Sequence, residues 1–350
     1  METIFDSIVI GAGQAGLATA YYLKNKGLQY LVLDESEQTA GSWPNYYDSL
    51  TLFSPVKYSS LPGLKFPGGS NHYPTKVEVI NYLTDYAKQF ELNIKTETKV
   101  IDVLKNNNLF LVKTVNGSVY KAKTIISATG SFSSPYIPNI NGMELFNGHI
   151  IHSSQYKNSK EFKDQRVIVV GAGNSAIQIA YELAGKSKVT LATRNLIKFI
   201  PQTLLGKDIH YWFNLSGLDY YPFAKSLSLT NSVLDTGIYK KAILRNKPDR
   251  RQMFTSITKD GVLWINGEEK VNSIIFATGY RPKVMYLKSL NGAIDEQGLP
   301  IHDKGISKSI KGLFYIGLSG QRSFSSATLR GVGKDAKFIV NKVNAILANI

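Results

Sequence analysis

No cysteine occurs among the 350 residues of the chain. That absence excludes disulfides, thiolate metal sites, iron–sulfur clusters and any redox-active dithiol. Histidine is scarce at five, and the five form no cluster of zinc-ligand spacing, so no metal site is expected. Acidic residues number 26 against 41 lysines and arginines, a net charge of +15. A positive field favours anionic cofactors or nucleic acid. The lysines are scattered singly, however, without a basic block or an aromatic RNA-binding signature, so a solvated lysine-rich surface is expected and no nucleic-acid partner. Long hydrophobic runs are missing too. The longest apolar stretch, from Ile8 to Leu23, contains a glycine turn and Gln14, which argues against membrane insertion. The first residues run directly into a strand pattern with no basic n-region or cleavage site, so no signal peptide is expected and the reading is cytoplasmic.

What is present is a pair of glycine-rich turns 160 residues apart. Asp6-Ser-Ile-Val-Ile-Gly-Ala-Gly-Gln-Ala-Gly16 opens the chain, and Arg166-Val-Ile-Val-Val-Gly-Ala-Gly-Asn-Ser-Ala176 repeats it. Each is an apolar β-run, a turn and a helical pattern, the context a dinucleotide-binding motif requires. Gly11 and Gly171 permit the tight turn. Gly13 and Gly173 lack a Cβ, so the backbone can approach a pyrophosphate. Gly16 and Ala176 are small enough for the helix to pack on the sheet. The helix starts, at Gln14-Ala15 and Asn174-Ser175, then offer free N–H groups and a positive dipole end to phosphates. Two such cradles in one chain point to electron transfer between two bound nucleotides.

The remaining pattern fits two ordinary domains. Leu17–Lys26 reads as a helix ended by Gly27, and Tyr30–Leu33 as a strand ending at Asp34-Glu35. Asp34 thus stands about 20 residues beyond the turn, where a ribose hydroxyl is accepted. A turn-rich, aromatic stretch from Gly41 to Thr75 looks like loops covering something flat. Lys76–Phe90 has helical periodicity. Ile94 to Val103, Leu109 to Val115 and Tyr120–Ser127 read as strands, with Asn116-Gly117 as a hairpin turn. In the second unit Ser175–Ala184 reads as a helix, and the strand Lys188–Thr193 ends in Arg194. Each unit reaches an Ala-Thr-Gly strand end, at Ala128-Thr129-Gly130 and Ala277-Thr278-Gly279. This internal symmetry predicts an α/β fold of two similar Rossmann-like modules. The segments His210-Tyr-Trp-Phe213 and Tyr220-Tyr-Pro-Phe223 either wall a pocket or pack on the second unit. Gly312–Leu318 reads as a strand, followed by a loop and a closing helix after Ala327-Thr328-Leu329.

Between the two turns lies Phe146-Asn-Gly-His-Ile-Ile-His-Ser-Ser-Gln-Tyr156, which matches F-x-G-x-x-x-H-x-x-x-Y on Phe146, Gly148, His152 and Tyr156. On this stretch the chain resembles the flavin-containing monooxygenases and the related Baeyer–Villiger enzymes. Gly-Ser-Trp43, Leu-Phe-Ser-Pro55, Ala-Thr-Gly-Tyr280 and Ser-Ala-Thr-Leu329 resemble the compact bacterial members, some described as associated with cation efflux. The resemblance implies an FAD domain at 1–158 and 281–350 with an inserted NADPH domain at 159–280. Ser42, Trp43, Val100, Gly317 and Leu318 join the residues already named as the expected cofactor contacts, with Glu35 beside Asp34. Arg194, at the strand end of the second module, is expected to pair with a 2′-phosphate. The implied reaction inserts one oxygen of O₂, through a C4a-hydroperoxyflavin, into a thioether, an amine or a ketone. The partners are then a small organic substrate and O₂, with a homodimer left open. Phe53, with Ser54 beside it, stands where many relatives carry an asparagine against the flavin, a departure that bears on oxygen transfer. His152 is a fingerprint residue expected near the domain junction, packed and hydrogen-bonded more readily than acting directly. A thiol-free reductase and a flavin-bound accessory protein of ion transport are the alternatives.

Overall fold

The computed structural model describes residues 3–132, 134–219 and 232–349. Tyr220-Tyr-Pro-Phe223 lies outside them. The first sheet is built on parallel strands in the order Ile94–Lys95, Tyr30–Leu33, Ile4–Ile10, Val119–Ser127 and Leu313–Tyr315. Val100–Asn106 and Leu109–Thr114 form an antiparallel meander attached to Val119–Ser127. The helices Gln14–Asn25, Lys76–Gln89 and Leu329–Leu347 close one core around Val9, Val32 and Ile126. Ile8, Leu31 and Ile125 alternate to the other face and pack against the meander and residues 284–293. The alternation is what a period of two dictates when both faces of a sheet are covered.

The second sheet is wholly parallel, in the order Asp249–Gln252, Lys188–Thr193, Arg166–Val170, Ser273–Phe276 and His149–His152. Its edge strand, His149–His152, comes from the stretch assigned by sequence to the first domain. The strand pairing therefore draws the second unit from before residue 159. Ser134–Pro135 leaves the first sheet and Tyr280–Arg281 returns to it, and the two pair antiparallel as a double link.

Two elements differ from the sequence reading. The run from Ile94 to Val103 is two strands, because Glu97 takes a left-handed φ of 51° and the Glu97 and Thr98 amides turn to the Ser36 and Asp34 carbonyls. The Gly312–Leu318 strand shortens to Leu313–Tyr315. Among the described residues no helix is long and apolar enough to cross a membrane.

Candidate active site

The two glycine turns face one continuous cavity of about 1930 Å³. Ordinary ligand pockets hold about 300–1,000 Å³, so the space suits two extended nucleotides better than one small ligand. The turns themselves are alike. Gly11 (φ +108°) and Gly171 (φ +142°) each sit against the Ala carbonyl of an Ala-Thr-Gly turn, where a Cβ would lie 2.8 Å from Ala128 O and 2.5 Å from Ala277 O. The symmetry read from the sequence is thus a packing symmetry: each glycine is required by the strand end that follows it 117 or 106 residues later.

Anions are favoured at three helix starts on this cavity. Gln14–Asn25, Asn174–Leu183 and Leu329–Leu347 begin at Gly13, Gly173 and Thr328, with no side-chain cap and no acid in the first turn. The helix Lys76–Gln89, which starts away from the cavity wall's glycine turns, instead carries a full capping box from Thr75 and Glu78. Uncapped N–H groups need a partner, and phosphate oxygens supply it. At Gly173 an added Cβ would meet nothing within 4 Å, so the approach is open.

Around the first turn, Asp34 is buried, and its carboxylate accepts the Ala12 N–H and, at 2.7 Å, the Ser36 N–H. The acid expected to meet a ribose therefore also fastens the turn to the second strand. Glu35 is half-exposed and pairs with Lys283 at 2.7 Å. Gln14 ties three distant segments together: its Nε2 donates to Ala327 O (2.7 Å) and its Oε1 accepts from Trp43 Nε1 (3.1 Å). Ser42, Val100, Thr129, Gly130 and Gly317 line the same cavity. Leu318 does not; its side chain is buried in the core beside Tyr315. Gly16 and Ala176 pack beneath the turns rather than on the cavity wall, as their size required.

Around the second turn, Thr193 occupies the place of Asp34. It is buried, and its hydroxyl accepts from Arg250 Nε at 2.8 Å. Arg194 follows on the cavity wall, exposed, with Lys198 nearby on the lining. An acid that would repel a 2′-phosphate is replaced by a hydroxyl, and a guanidinium is added. Thr278 donates its hydroxyl to Tyr136 O, and Thr278 and Gly279 line the cavity.

The fingerprint histidine lies behind this wall. His152 is 1% exposed; its Nδ1 accepts from the Ser154 N–H (3.1 Å) and its Nε2–H donates to Gly279 O (2.9 Å). Burial lowers its pKa, which keeps the ring neutral in that tautomer. Nε2 holds the Gly279 carbonyl and Nδ1 the Ser154 amide, so His152 positions the wall and does not face the cavity. Phe53 lines the cavity, and its carbonyl accepts from Gln202 Nε2 at 3.0 Å. The Ser54 hydroxyl is instead turned to Ser59, 2.9 Å away.

Sequence reasoning missed Gln202, Asp208, Lys283 and Arg330. His210 lines the cavity with Phe213, so this segment does wall a pocket. Arg330 is also on the wall, its Nε and Nη2 held by Asp219 at 2.9–3.1 Å. The one local signal was Asp208 two residues before His210, at the start of an aromatic segment.

The family model for pyridine nucleotide-disulphide oxidoreductases matches residues 8–214. The chain is 37% identical over 346 residues to "Uncharacterized oxidoreductase CzcO" of Bacillus subtilis, covering 97% of this chain and 99% of that protein. It is 32% identical to "Probable indole-3-pyruvate monooxygenase YUCCA1" of Arabidopsis thaliana, covering 96% of this chain and 89% of that protein. The solved flavin-containing monooxygenase of Stenotrophomonas maltophilia superposes with a TM-score of 0.87 at 28% identity, covering 99% of this chain and 100% of the other. Without cysteine this chain cannot perform the dithiol chemistry in the family's description. It belongs to the pyridine nucleotide-disulphide oxidoreductase family and, within it, is an oxidoreductase of the flavin monooxygenase type.

Proposed function

We propose that the chain is an FAD- and NADPH-dependent monooxygenase that places one oxygen atom of O₂ on a thioether, an amine or a ketone. The observation that carries this reading is the single cavity onto which both glycine turns and three uncapped helix starts open. The first module, 1–158 with 281–350 apart from the edge strand His149–His152 that pairs in the second sheet, would hold FAD through the Gly11–Gly16 turn, Asp34 and the Gln14–Trp43–Ala327 closure. The second, centred on 159–280, would hold NADPH through Gly171–Ala176 and Arg194. When bound, the flavin supplies the oxygen-activating chemistry. The protein's part is to orient the nicotinamide, to hold the turns rigid, and to keep water out with Trp43, Phe53, Phe213 and Phe324.

The test is NADPH-driven turnover under ¹⁸O₂ with a panel of thioethers, amines and ketones. The expected product carries one ¹⁸O. Rapid quinone reduction with no labelled product from the whole panel would replace this reading with the thiol-free reductase.

A further inference from the structure

One ionisable pair, with its histidine on the cavity wall and its carboxylate behind it, is left unused by cofactor binding. His210 is 1% exposed overall, yet it lines the cavity beside Phe213 and Phe324. Its Nδ1 lies 2.7 Å from Asp208 Oδ1, and its backbone N–H donates to the same oxygen at 2.8 Å. Asp208 Oδ2 accepts from the Tyr73 hydroxyl and, at 2.9 Å, from Gln202 Nε2. Burial by itself would raise the Asp208 carboxyl, but hydrogen bonds from His210, Tyr73 and Gln202 overcome it and hold it at about 2. Asp208 is therefore a carboxylate, an acceptor only. The proton in the His210–Asp208 contact must belong to Nδ1. In the neutral ring this leaves a lone pair on Nε2, which has no hydrogen-bond partner among the described residues.

The contrast with His152 is chemical. That ring has the opposite tautomer, with both nitrogens bonded to backbone. His210 keeps one nitrogen in reserve, in an orientation fixed from its other side. A carboxylate that fixes the tautomer of an imidazole is the arrangement that makes it a base. Gln202 also bonds the Phe53 carbonyl, so the pair is tied to the loop expected to face the flavin.

We infer that His210 is a proton-accepting catalytic residue of the substrate site, serving amine or thiol nucleophiles that carry an N–H or S–H. The inference rests on the monooxygenase reading. For a secondary amine, an N–O bond forms and the N–H proton passes to His210 Nε2. The O–O bond breaks, the second oxygen leaves as water, and NADPH is oxidised: amine, O₂, NADPH and H⁺ give hydroxylamine, NADP⁺ and water. A thioether has no such proton and needs no base.

Three measurements on the FAD-loaded protein test this. Diethyl pyrocarbonate at neutral pH, followed by peptide mass mapping, should acylate His210 and spare His152. In H210Q, kcat/KM for a secondary amine should fall by about 10²–10⁴, the usual weight of a general base, while the thioether value changes by less than about threefold. In H210A, added imidazole should restore part of the amine rate and none of the thioether rate. Equal losses for both substrates would make His210 a packing residue. Labelling of exposed His149 without His210 would overturn the free Nε2. If the wild type oxygenates neither class, the monooxygenase reading fails, and labelling alone decides whether His210 presents a basic nitrogen.

Discussion

In the first glycine turn an ideal Cβ on Gly13 would sit 3.5 Å from the Gly41 Cα; in the second, one on Gly173 would meet nothing within 4 Å. Asp34 braces the first turn with two backbone hydrogen bonds, whereas Thr193 in the second spends its hydroxyl on Arg250. Gln14 draws Trp43 and the Ala327 carbonyl over the first turn. The same backbone path thus appears once closed over and once open. Closure suits a nucleotide that stays through many turnovers; openness suits one that enters and leaves in each.

The largest expected effect breaks this comparison at the third small residue. An added Cβ at Gly16 would lie 1.8 Å from the Gly11 carbonyl oxygen, while the second turn already accommodates Ala176. Gly16→Ala should cost about 1–3 kcal/mol of overpacking and abolish flavin binding. Ala176→Gly should cost about 0.5–1 kcal/mol and leave the protein yellow. Thermal unfolding and flavin absorbance read both; a yellow Gly16→Ala variant with wild-type Tm would end the argument. Gly13→Val should keep the fold but lose FAD, since its new side chain occupies the line of approach to the pyrophosphate.

Next in size is the brace. Asp34→Ala leaves the Ala12 and Ser36 amides without an acceptor; the buried Ala12 donor costs about 1–3 kcal/mol, while the part-buried Ser36 amide can turn to water. Thr193→Ala removes one hydrogen bond and should cost about 0.5–1.5 kcal/mol. Equal stability losses from the two substitutions would show that the first turn is not braced more firmly than the second.

A smaller effect separates the two nucleotides. Arg194→Ala should weaken NADPH by about 1.5 kcal/mol, the lower end for a charged hydrogen bond because the residue is exposed, and leave NADH unchanged. Isothermal titration with both nucleotides decides it: a matching loss for NADH would mean that Arg194 does not read the 2′-phosphate.

Both turns, Asp34 and Arg194 were legible in the sequence because the motif is local: strand, turn and helix are contiguous, and the acid or base follows at the next strand end. The Ala-Thr-Gly repeat disclosed the contact between each turn and its distant strand. What stayed hidden depends on pairing across the chain. His149–His152 belongs to the second sheet because it pairs with Ser273–Phe276, which no local pattern announces. The His210 environment draws Tyr73 from 135 residues before Asp208, and the lid on the first turn joins Gln14 to Ala327 across 313 residues. The earlier starts of both helices, at Gln14 and Asn174 where the sequence reading has Leu17 and Ser175, follow from the extended glycines before them.

The smallest expected effect concerns the place where the two modules share one wall. Phe53 belongs to the first module's loop, but its carbonyl is held by Gln202 of the second. That backbone anchor is independent of the side chain, so Phe53→Asn should leave the loop in place while exchanging an aromatic face for an amide donor on the cavity. An added donor beside developing negative charge favours oxygen transfer over loss of the oxygen as peroxide. Because only one hydrogen bond is gained, at about 0.5–1.5 kcal/mol, the share of NADPH oxidation that ends as H₂O₂ should fall by less than about tenfold. Oxygen-electrode measurements with and without catalase give that share directly. Gln202→Leu, which frees the carbonyl and removes a donor to Asp208, should raise it instead. If Phe53→Asn and Gln202→Leu both leave the share unchanged, the loop does not face the reacting flavin, and the two modules meet at this wall only to pack.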